Sequence, residues 1–235
     1  MEQVNNAIEK FKFGKSPSSD KWTAEHIRHS HPIIVFLLSK LFNLMLLFEY
    51  IRDGFGLSIM TPIPKSQSNH DKAQNYRGTS VSPIISKFFE HCLLEIFSKY
   101  LKTSDMKFVF KAKSGCNKAL YTVRKTLDYF IGRQSTVNIC ALDMARAFDK
   151  MNKHALFTKL MNNKCPLTLI NILDCWYDKS FACIKWGDTL SDIYNFQSLS
   201  LIACGGVVLF WTITCMYILY VCFFHFHLYE FYHQN

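Results

Sequence analysis

The stretch that decides the fold runs from Val137 to Met161 and reads VNICALDMARAFDKMNKHALFTKLM. Its first part, Val137 to Leu142, is a short apolar run with β-branched residues, which predicts a buried strand. That strand would carry Asp143 at its C-terminal end, and a second carboxylate, Asp149, follows six residues later. The residues between them show no strand alternation and read as a tight connection. From about Lys153 the apolar positions Leu156, Leu160 and Met161 take helical spacing. A carboxylate beside a turn rich in backbone N–H groups suits a divalent cation carrying phosphates. Mg²⁺ in particular takes one or two carboxylates and leaves its other positions to substrate phosphates and water. Asp143 could equally cap the helix behind it, so these residues alone leave both roles open.

Composition bounds the partners. The chain has 235 residues, enough for one large domain or two small ones. Its net charge of +9 and pI near 9.1 favour a polyanion, either nucleic acid or an anionic membrane. Nine cysteines without a single C-x-x-C argue against a disulfide framework or a zinc site, and for a reducing compartment. Cys222, His225 and His227 lack a fourth partner at sensible spacing. No apolar stretch lies near Met1, so no signal peptide is expected.

Read in order, Val4 to Phe13 is amphipathic, with Val4, Ile8 and Phe11 on one side. Gly14 to Asp20 is a turn-rich break; its Gly14-Lys15-Ser16 lacks the upstream glycine and strand of a phosphate loop. Pro32 to Tyr50 reads as one core helix. Leu57 to Lys65 is a strand-like run ended by Pro62 and Pro64, and Ser66 to Asn75 is a polar loop. Ile85 to Leu101 is an amphipathic helix whose stripe includes Phe88, Phe89, Leu93 and Phe97. A further helix over Lys118 to Ile131 should bury Leu120, Val123, Leu127 and Phe130. Leu167 to Tyr177 should turn Leu169, Leu173 and Trp176 inward. Two strands, 180–186 and 189–196, should flank a Gly187-Asp188 turn.

Several of these stretches resemble the reverse transcriptases of non-LTR retrotransposons. Asp143 to His154 resembles their motif A, D-L-S-K-A-F-D-x-V-x-H. Gly14-Lys15-Ser16-Pro17 with Asp20 and Thr23-Ala24-Glu25-His26 resembles G-K-S-P-G-P-D-G followed by T-A-E-H, with Ser18, Ser19 and Lys21 departing from the pattern. Leu57 to Lys65 followed by Asn75-Tyr76-Arg77 resembles a fingers strand ending in P-x-x-K and then N-Y-R-x-I-S. Phe108 to Asn117 is similar to F-G-F-K-x-G-x-G-C-N, with Lys107 where the family has Gln. Ala182 to Gly187 is similar to A-C-V-K-W-G. The likeness runs from about residue 4 to about residue 196 with the motifs in order.

The resemblance implies an α+β fold: the fingers and partial palm of a right-hand polymerase over 1–196, then an apolar tail over 197–235. It implies RNA-directed DNA synthesis, with an RNA template, a DNA primer, deoxynucleotides and Mg²⁺ as partners. Asp143 would be the catalytic metal ligand, Phe148 would face the nucleotide sugar, and Arg77 and Lys65 would contact the triphosphate. The basic Lys107, Lys111, Lys113 and Lys118 suit a template backbone or a solvated loop alike.

Beyond Phe196 the pattern fails. The family continues with G-V-R-Q-G-G-V-L-S-P-x-L-F and then Tyr-x-Asp-Asp. Here only Gly205, Gly206 and Val207 survive, and the last Asp of the chain is Asp192. Two-metal transfer needs carboxylates that hold two cations about 4 Å apart, so the resemblance implies a catalytically incompetent copy. Ser198 to Phe224 contains no charged residue. That segment reads as the product of a disrupted reading frame or, alternatively, as a transmembrane helix. The second case would make the chain a membrane-tethered nucleic-acid-binding or interaction protein. Nuclear or cytoplasmic placement is expected in the first case and a membrane in the second.

Overall fold

The structure is a computed structural model, and it describes residues 1–65, 71–101, 108, 115–139 and 152–195. The fold is mixed α+β: among the described residues, helices pack around an apolar core and are joined by a small mixed sheet. Helices α1 (Glu2–Lys10), α2 (Ala24–Arg28) and α3 (Ile33–Leu47) come first. Strands β1 (Leu57–Pro64) and β2 (Tyr76–Val81) form a hairpin, followed by α4 (Ile84–Ile96) and α5 (Cys116–Ile131). Helices α6 (Lys153–Asn162) and α7 (Leu167–Asp178) lead into β3 (Phe181–Trp186), β4 (Thr189–Leu190) and β5 (Tyr194–Asn195).

The core forms where the amphipathic stripes meet. Phe88, Phe89 and Leu93 of α4 are fully buried, as the expected stripe requires, and so are Leu169, Ile172 and Leu173 of α7. Phe89 sits at the centre, its ring 5.1 Å from Phe42, 5.7 Å from Trp176 and 6.2 Å from Phe55. Offset and edge contacts of this kind add to the gain from burial alone. Leu156 and Leu160 of α6 join the core, while Met161 is exposed. Asn152 caps α6 by accepting from the Ala155 N–H at 3.2 Å. Lys153 then bridges α6 to α7 through Asp174 at 2.9 Å and Asp178 at 2.7 Å.

β1 is the axis of the sheet, antiparallel to β2 and parallel to β3. As expected, the strand runs from Leu57 through its two prolines to Pro64. The reason lies in the register. The Lys65 N–H donates to Asn75 O at 2.7 Å, so the odd-numbered residues turn their N–H groups toward β2. Pro62 and Pro64 therefore turn their missing N–H groups to the side where pairing with β3 has ended at Met60↔Ile184. At the other end Gly56 lets β1 approach α7: a Cβ there would lie 2.1 Å from Lys179 O. The Phe181 N–H donates to Gly56 O at 3.1 Å and opens the parallel ladder. Lys179 fastens the same corner, donating to Ile51 O at 2.8 Å and Asp53 at 2.7 Å.

Four expectations need correction. The α5 helix forms, but none of its residues is buried, and Leu120 is 66% exposed. Its apolar stripe finds no covering element among the described residues. The expected strand from Val137 does not form over Val137 to Ile139, and Ile139 is 61% exposed. No described strand offers those residues a ladder; Cys140 to Leu142 lie outside the described residues. The strand after Gly187-Asp188 is split into β4 and β5. Between them the Ser191 hydroxyl takes over a ladder position, accepting from the Ile184 N–H at 2.9 Å. The α3 helix is a core helix on one side only: Leu38, Phe42 and Met45 are buried, while Phe36, Leu44 and Leu47 are exposed.

Candidate nucleotide and nucleic-acid surface

Two of the site candidates, Lys65 and Arg77, lie at the exposed end of the β1–β2 hairpin. Ile63 pairs with Arg77 and Pro64 with Tyr76. Strand alternation places Arg77 and Lys65 on one face of the hairpin and Tyr76 on the other. The same alternation, carried across from Met60↔Ile184, puts Lys185 on the face of Arg77 and Trp186 on the face of Tyr76. The ring contact between Tyr76 and Trp186, 5.3 Å between centroids at 61°, agrees with that assignment. Lys65, Arg77, Lys185 and Trp186 are all exposed. The end of the sheet thus carries cations on one face and an aromatic pair on the other. Gly187, with φ +59, makes the turn that ends β3 beside Trp186.

The opposite end of β2 is anchored by the loop before α2. The buried Ser18 hydroxyl donates to Val81 O at 2.9 Å. Gly14 donates its N–H to the Glu25 carboxylate, which holds that carboxyl below its ordinary range. Lys87 of α4 lies close by, between the charges of Glu90 and Asp20; burial lowers its pKa and both carboxylates oppose that. The turn-rich stretch at Gly14 to Asp20 thus braces the hairpin through Ser18.

Two of the four residues expected at a site, Lys65 and Arg77, are brought together on this hairpin. Asp143 and Phe148 lie outside the described residues. Among the described residues no group of three or more His, Cys, Asp or Glu side chains could hold a metal ion. No described helix is long and apolar enough to cross a membrane; residues 198–224 lie outside the description. Sequence reasoning passed over Lys185 and the exposure of Trp186. The signal for both was present in the alternation of Ile184-Lys185-Trp186 running into a Gly-Asp turn. No model of a known protein family matches the chain.

Proposed function

We propose that this chain is the fingers and partial palm of an RNA-directed DNA polymerase of the non-LTR retrotransposon kind, in a catalytically incompetent form. The observation that supports it most is the placement of Lys65 and Arg77 on one exposed face of the β1–β2 hairpin. A triphosphate is a dense polyanion, and a guanidinium can grip two of its oxygens at once while a nearby ammonium neutralises a third. Arg77 is the principal contact in this reading and Lys65 the secondary one. Asp143 would hold Mg²⁺ and Phe148 would face the sugar, both on the strength of motif A. With no Tyr-x-Asp-Asp, the charge stabilisation that two bound cations supply is lost, and with it the rate.

The encoding nucleotides test this directly. Read onward from the codons for residues 196 to 210 in the other two frames, one frame should restore Gln-Gly, Ser-Pro and then Tyr-x-Asp-Asp. Failure of both frames would remove the frame-disruption account. The membrane-tethered reading, favoured by the uncharged Ser198 to Phe224, would then take precedence, and detergent-dependent sedimentation of the full chain would check it.

A further inference from the structure

The aromatic pair at the end of the sheet has no part in gripping a triphosphate, because it lies on the other face of the strands from Arg77. We propose that Trp186, braced by Tyr76, is a stacking ledge for a base of single-stranded nucleic acid. The inference rests on the nucleic-acid reading given above but not on the triphosphate contact.

Three observations carry it. First, Trp186 keeps 59% of its surface exposed although it touches Tyr76, so the pair is a platform and not a plug. A large flat ring held from the side by a second ring loses little freedom when a base settles on it. Second, among the described residues the ledge stands at an open end of the sheet. Pairing of β1 with β3 ends at Met60↔Ile184, and beyond it β1 continues as Pro62 and Pro64, which offer no N–H to a further strand. A protein strand cannot add there through a regular ladder, while a base needs only the ring face. Third, the rim is cationic. Lys65, Arg77 and Lys185 are exposed on the other face of the same sheet end, where the backbone of a strand passing over that end would meet them, and Lys72, Asp71 and Asp188 are exposed as well. Stacking on an aromatic with cations alongside for the phosphates is how proteins hold single strands without reading their sequence. A peptide partner would be recognised by hydrogen bonding at the strand edge, which the prolines withhold here.

The test uses the full chain and two fluorescent twelve-nucleotide strands, one of uridine and one abasic, at low salt. The parent should bind the uridine strand at least tenfold more tightly than the abasic one. Trp186→Ala should bind the uridine strand roughly tenfold to a hundredfold more weakly, as loss of one stacked base requires, and should no longer distinguish the two strands. Trp186→Phe should recover most of the preference. The slope of log affinity against log salt should stay unchanged in Trp186→Ala. If the parent binds both strands equally, or Trp186→Ala binds as the parent does, the ledge is refuted while the nucleic-acid reading stands. If the parent binds neither strand at low salt, both are refuted.

Discussion

At Gly56 the chain passes so close to the backbone of Lys179 and Ser180 that any side chain would displace one of them. The obstacle is a carbonyl and not a flexible side chain, so relief requires moving β1 away from β3. Gly56→Ala should therefore cost about 1–3 kcal/mol, in the range of overpacked sites, measured by urea unfolding. A second residue ties stability to pH. His91 packs its ring 4.9 Å from Phe11. Burial, with Lys10 adding to it and Glu95 opposing, holds its pKa below the ordinary 6.5. The unfolded chain then takes up the proton first, so stability falls as pH drops below that ordinary value. The urea midpoint should fall between pH 7.5 and pH 5.5, and it should fall less in His91→Gln. An equal fall in both proteins would remove His91 as a cause. Neither feature was legible in the sequence, because both arise from contacts between residues far apart in the chain. Lys65 and Arg77 were singled out only through the family resemblance, since two surface cations carry no local signal that sets them apart; the register of β1 with β2 puts them on one face.

Among the elements, α4 and α5 have equally convincing apolar stripes and opposite fates. Phe88, Phe89 and Leu93 of α4 are completely buried, whereas α5 buries nothing. A period of 3.6 tells which residues share a face but not whether another element covers it. The difference is measurable. Leu93→Ala should cost about 2–5 kcal/mol, as large-to-small core changes do. Leu120→Ala should change stability by less than about 0.5 kcal/mol, as surface changes do. A cost for Leu120→Ala comparable to that for Leu93→Ala would show that the stripe of α5 is covered. The strands repeat the lesson in another form. The hairpin turn at Gly187 was readable from composition. The break between β4 and β5 was not, because it depends on a serine side chain standing in for backbone.

For the whole molecule, the α+β class expected from the family resemblance agrees with the mixed helices and small sheet of the structure. The arrangement of the sheet did not follow from the sequence. Pairing β1 with β3 joins residues more than a hundred positions apart, and no local signal encodes such a partner. That pairing places Trp186 near Tyr76 and gives the end of the sheet two faces of different chemistry. The charge of +9 acts over the same surface. Under the proposed reading it favours approach of polyanions in general, and the hairpin supplies the geometry for a defined contact.

The most direct test of that geometry is the affinity of the full chain, loaded with an RNA template and a DNA primer, for a fluorescent deoxynucleoside triphosphate with Mg²⁺. Arg77→Ala should weaken binding about tenfold or more, the loss expected when hydrogen bonds to a charged partner are removed. Arg77→Lys should recover only part of it, because an ammonium cannot reproduce the bidentate grip, and Lys65→Ala should have a smaller effect. Unchanged affinity in Arg77→Ala would contradict the assignment of the β1–β2 hairpin as a triphosphate contact.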